Sequence, residues 1–195
     1  MKNTEFILRN LREKSGPLDI DCPYALQNFF SGFQTVDLNI VGLWRFVNDQ
    51  QTAIDNLGLA SKVCFATCNR HEAYELLLTL LIDASGDYEG EVEIVPFRPF
   101  IESIREIIVS GRTGMIFLSP DHTSLFQFWM GYAAGLDMHY PEMAEIERLK
   151  IRAFEKHLCK EEGLDVKWFI YLRTHYKNDL VHGFLDNWDK FQKNL

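Results

Sequence analysis

SLFQFWMGY, residues 124–132, sets Leu125, Phe128, Trp129 and Tyr132 on one helical face, with Gly131 inside the pattern. Glycine in that place costs a helix roughly 0.5–1 kcal/mol against alanine. The stretch ALQNFFSGF, residues 25–33, repeats the arrangement with Leu26, Phe29, Phe30, Gly32 and Phe33. Apolar residues fall at i, i+3, i+4 and i+7 in both, and the glycine precedes the last aromatic in both. The simplest physical cause is close backbone approach, with another helix crossing at Gly32 and Gly131 where a side chain would not fit. Phe29, Phe30, Phe128 and Trp129 are then core residues rather than a ligand pocket.

The likeness extends along the chain. Leu8, Leu11, Arg12, Glu13 and Ser15-Gly16 resemble Ile101, Ile104, Arg105, Glu106 and Ser110-Gly111. Gly58-Leu59 and Lys62 before VCFATCNRH can be laid on Gly163-Leu164 and Lys167 before WFIYLRTHY. A final apolar-periodic segment closes each series. Four patterns in the same order point to a tandem duplication of a helical module of about 98 residues. The first copy would span 1–97, including an acidic connector, and the second 98–195.

The expected fold is mainly α, with both copies packed as one compact body. Helices are expected at about 3–14, 24–34, 41–56 and 70–84, then at 100–109, 122–135, 142–160, 165–175 and 178–193. Pro23 suits a first helical turn, and Asn69, Asp165 and Asn178 suit N-caps. SKVCFAT reads as either strand or helix. EVEIVPF, near 91–97, allows a short strand or an extended link ending at Pro96 and Pro99.

Composition narrows the function. The chain has 195 residues, 47% of them hydrophobic, which suits a globular body with its own core. No stretch matches a secretory signal or a membrane span, and four cysteines make no disulfide framework. A cytoplasmic location is expected. The formal charge is −8, and residues 1–100 carry 14 Asp/Glu against 8 Lys/Arg. That balance argues against direct nucleic-acid binding and suits a basic protein partner.

The densest acidic run, DASGDYEGEVE, holds Asp83, Asp87, Glu89, Glu91 and Glu93 without a Lys or Arg. It is either a solvated connector or a docking edge, with Asp49 and Asp55 as further candidates for that edge. Cys64-x3-Cys68-x2-His71 resembles a metal-ligand spacing, but a cap at Asn69 would interrupt the helix and no fourth ligand is placed locally. A Cys–His nucleophile built from Cys68 or Cys159 with His71 or His157 lacks an oxyanion site nearby. His175 and His182 flank Asp179 on what reads as a polar stripe. SGRTG, 110–114, is either an anion-binding turn or a plain turn with glycine at positive φ. No phosphate-binding loop is present. Neither a metal nor a cofactor is expected, and neither is catalysis.

The second copy resembles a module of bacterial proteins encoded beside secreted polymorphic toxins, marked by an RPGMYLG box and an SLxxLxxFlxGY box. Arg112-Thr113-Gly114-Met115-Ile116 resembles the first box, with threonine where the family has proline. Ser124-Leu125, Phe128, Gly131 and Tyr132 match the second. In the first copy, Ser15-Gly16-Pro17-Leu18 and then Leu26, Phe29, Gly32 and Phe33 follow the two boxes more loosely. The resemblance implies an immunity protein of a contact-dependent or related interbacterial system. Such a protein binds a cognate toxin C-terminal domain and blocks it. The alternatives are a small enzyme with a site between the copies, using His71, His175 or a cysteine, and a helical adaptor.

Overall fold

The computed structural model describes residues 3–14, 20, 22–50, 58–90, 93–111, 124–162, 167–176 and 179–194. Glu91, Asp55, Asp165, Asn178 and both matches to the RPGMYLG box lie outside them. The described chain is all-α, with ten helices and no named strand. The first half holds α1 (Asn3–Lys14), α2 (Pro23–Phe33), α3 (Asn39–Gln50), α4 (Leu59–Ala66) and α5 (Arg70–Asp87). The second holds α6 (Phe100–Val109), α7 (Ser124–His139), α8 (Pro141–Glu162), α9 (Trp168–His175) and α10 (Leu180–Lys193).

Local chemistry sets several boundaries. Pro23 opens α2, where its missing N–H has no partner to lose. Asn69 caps α5 by accepting the Glu72 N–H at 2.9 Å, and Glu72 reaches back to the Cys68 N–H. SKVCFAT is helical: Leu59, Ala60 and Val63 are buried together, and this packing outweighs the strand preference of Val and Phe. The cap of α10 is Asp179, one residue beyond the expected Asn178. Its Oδ1 accepts from the His182 N–H at 3.3 Å. Gly111 stands at φ +67 just after α6, a turn position that glycine occupies without strain.

The connector between the halves is extended. Its described residues make one antiparallel bridge, Asp37 to Ile94, flanked by bonds from Leu38 N–H to Glu93 O and from Val95 N–H to Val36 O. Pro96 and Pro99 follow at once and lack the N–H groups that a longer ladder needs.

The most extensive helix–helix contact joins α2 to α7, across the halves. A Cβ on Gly32 would overlap the Phe128 carbonyl and lie 2.9 Å from the Tyr132 nitrogen. A Cβ on Gly131 would overlap the Phe29 carbonyl and lie 3.0 Å from the Phe33 nitrogen. Each glycine therefore meets the counterparts of the residues that the other meets. Between them Asn28 and Gln127, which hold matching places in ALQNFFSGF and SLFQFWMGY, are buried and bonded to each other at 3.1 Å. Reciprocal contacts with self-paired positions at the centre are the geometry of a local twofold axis.

The halves keep separate cores on either side of this axis. One gathers Leu8, Leu26, Leu43, Leu77 and Leu81 with their neighbours, and the other centres on Phe100, Phe128, Phe154 and Phe184. Met130 packs against both. The first helix of each half is tied to the last by an arginine. Arg12 of α1 bonds Glu75 and Thr79 of α5, and Arg105 of α6 bonds Asp189 of α10.

Candidate functional site

Most surface carboxylates with a described partner sit in ion pairs: Glu5 with Arg9, Glu75 with Arg12, Asp189 with Arg105, Glu155 with Lys167, and Asp137 with Arg148. Glu13, Glu72, Glu102, Glu142 and Asp186 are exposed without such a pair among the described residues, and the acidic run gathers several more of this kind. Asp83 and Asp87 of α5, Glu89 and Glu93 of the connector, and Asp49 of α3 are all exposed. None of their carboxylates has an ion-pair partner among the described residues. Tyr88 draws the connector onto α3, its ring 5.7 Å from that of Phe46, one turn before Asp49. Asp83 and Asp87 lie toward the C-terminal end of α5, whose last turn has no basic residue. A helix C-terminus carries partial negative charge, so anions there are unfavourable by about 0.3–1 kcal/mol each when close to the end.

The sulfur and imidazole groups are dispersed. Cys64 is half-buried in α4, Cys68 is exposed in the turn after it, and His71 is exposed at the start of α5. The helix is broken between Ala66 and Arg70, so the three do not share one helical face. Burial, and then the neighbouring Cys22, push the Cys64 thiol above its ordinary range, which keeps it protonated near neutrality. Arg70 donates to Cys22 Sγ at 3.3 Å. His175 bonds the Tyr171 carbonyl and stacks on that ring at 4.4 Å, while His182 bonds Asp179 at 2.7 Å. Cys159 and His157 both lie on α8. Among the described residues, no group of three His, Cys, Asp or Glu is placed to hold a metal. No described helix is long and apolar enough to cross a membrane.

The polar chemistry at the seam comes from residues whose sequence context carries little signal. Asp37 and His139, 1% and 6% exposed at their side chains, pair at 2.9 Å across the halves. The other Asp37 oxygen accepts the Asn39 N–H at 2.9 Å, so the carboxylate also opens α3. Buried Glu147 accepts the Phe100 N–H at 2.9 Å and pairs with Lys150. The Asp37–His139 and Glu147–Phe100 contacts form only after the chain folds back on itself.

Two cavities of about 400 Å³ flank the α2–α7 crossing. One, beside α1, is lined by Phe6, Trp129, Met130, Ala133, Ala134 and Met138 among others. The other, beside α6, has Ser31, Gln34, Thr35, Arg45, Arg98 and Ser103 on its walls. Ser31, Gln34 and Thr35 hold the places along α2 and its C-terminal end that Met130, Ala133 and Ala134 hold along α7. The local twofold therefore relates the two cavities, and their walls differ in chemistry.

No protein-family model, curated protein or solved structure matches the chain.

Proposed function

We propose that the chain is an immunity protein that binds a cognate toxin domain in the cytoplasm and neutralises it by steric and electrostatic occlusion. The observation that carries this reading is the contrast among surface carboxylates. Elsewhere on the described surface paired carboxylates are mixed with unpaired ones such as Glu13, Glu102 and Asp186, whereas at the end formed by α3, α5 and the connector Asp49, Asp83, Asp87, Glu89 and Glu93 are all unpaired among the described residues. Two of them lie toward a helix C-terminus, where the local field opposes them. A cationic partner removes both costs. Many toxin domains act on nucleic acids and present a basic face to an anionic substrate. An acidic end on a helical body would meet such a face, speed encounter and exclude the substrate. The resemblance of the SL…F…GY box to toxin-linked modules supports the same reading.

The test is neutralisation on co-expression with the variable C-terminal domain of a secreted protein encoded next to this chain. Growth should be restored. Reversing Asp83, Asp87, Glu89 and Glu93 to lysine should slow association by about tenfold or more at low salt and flatten its salt dependence. Unchanged rates and unchanged salt dependence would remove the acidic end from the interface. Failure to restore growth with the unaltered chain would remove the toxin reading itself.

A further inference from the structure

The cavity beside α6 adjoins a second recess of about 140 Å³, and Ser31, Gln34, Val41 and Arg45 wall both. Arg45 is exposed on α3 and has no ion-pair partner among the described residues. Arg98 borders the larger cavity and is paired with Glu106, which also lines it. Two guanidiniums against one carboxylate make this a cationic hollow on a chain of formal charge −8.

The hydroxyl groups of the wall have a defined polarity. Ser31 donates to Gln27 O at 2.9 Å, Thr35 to Gly32 O at 2.7 Å and Ser103 to Pro99 O at 3.3 Å. Their protons are directed into the helices, so the oxygens are left as acceptors. The smaller recess is walled by Phe30 and Trp44, edge to face at 5.7 Å. A ligand matching all three features has an anionic group for Arg45, hydroxyl or amino donors for the Ser and Thr oxygens, and a flat ring for the aromatic wall. The combined space suits a molecule of nucleotide size.

We propose that this seam cavity binds a nucleoside monophosphate. Its phosphate pairs with Arg45, whose planar fork suits phosphate oxygens. Its ribose hydroxyls donate to the wall, and its base lies beside Trp44. The cavity beside α1 is an internal control, because Met130, Ala133 and Ala134 stand in place of the hydroxyl-bearing wall and its guanidinium, Arg148, is held by Asp137.

The experiment is calorimetric titration of the full chain with AMP, GMP, CMP and UMP, and separately with inorganic phosphate and adenosine. At least one nucleotide should bind with a dissociation constant below ~1 mM, and phosphate alone should bind at least about tenfold more weakly. Arg45→Ala should weaken nucleotide binding by about tenfold or more, and Trp44→Leu should remove any fluorescence quenching by the base. Arg45 is exposed, so its replacement should leave the unfolding midpoint near the parent's. The proposal is overturned if none of the four nucleotides binds, if phosphate alone binds as tightly, or if a folded Arg45→Ala protein binds nucleotide unchanged.

Discussion

α2 and α7 share one pattern on the faces that cross and differ on the faces that do not. At the crossing both keep a glycine and a preceding phenylalanine, and the Asn28–Gln127 pair closes the centre. One turn away, Ser31, Gln34 and Thr35 face one cavity while Met130, Ala133 and Ala134 face the other. The difference separates two constraints. Where backbone meets backbone, only glycine fits, so both helices carry it. Where a helix faces open space, volume and polarity are not constrained in this way, and the two helices carry opposite chemistries there. The same contrast runs through the two cores, since the second is much richer in aromatic pairs than the first.

The comparison can be broken at the crossing first. Gly131→Leu places a whole side chain against the Phe29 and Phe33 backbone, and no rotamer avoids its Cβ. It should cost more than about 3 kcal/mol in urea denaturation, beyond ordinary overpacking. A near-neutral midpoint would mean that the helices do not meet there.

The buried pair comes next. Asn28→Leu or Gln127→Leu alone leaves an amide in the interface without its partner, at a cost of about 1–3 kcal/mol. Asn28 Oδ1 already lacks a partner among the described residues. The double replacement should therefore be no worse than the poorer single, and additive losses would count against direct pairing.

A smaller effect tests where the halves depart from symmetry. Tyr132 is the counterpart of Phe33, and its hydroxyl donates to Arg98 O at 2.8 Å. Tyr132→Phe should cost about 0.5–1.5 kcal/mol near neutrality. Burial, and then the Glu147 and Glu102 carboxylates, hold its phenol pKa above the ordinary value. The folded chain keeps a proton that the unfolded chain releases at about pH 10, so this contribution is full below that pH and is lost as pH rises above it. The parent should lose stability above pH 10 more steeply than Tyr132→Phe does. Equal alkaline slopes would contradict the burial of this hydroxyl. At the small end, Gly86 of α5 has open space around its Cβ position, and Gly86→Ala should gain about 0.4–1 kcal/mol.

Legibility in the sequence followed the range of the interactions. The 3.6-residue spacing of large apolar groups made most helices readable, and Pro23 and Asn69 marked the starts of α2 and α5. SKVCFAT was ambiguous because its side chains suit both conformations, and only burial of Val63 against neighbouring helices decides it. Glycines recurring in one place pointed to a crossing, since their local cost needs a non-local cause. The Asp37–His139 pair, the Glu147 acceptor and the polar cavity left no local pattern. Their partners are 102, 47 and many other residues away, and single polar residues carry no periodicity. The acidic run was readable as composition, but its lack of cation partners could be seen only in three dimensions.

The crossing of α2 and α7 about a local twofold at Gly32 and Gly131 joins the two halves. Its most direct test is a double-mutant cycle of Gly32→Ala and Gly131→Ala in urea. Each single change should cost about 3 kcal/mol, and the two should agree within about 1 kcal/mol. The double change should cost less than the sum by about 1 kcal/mol or more, because the first added Cβ already separates the helices that the second would separate. Unequal singles, or strictly additive losses, would contradict the crossing.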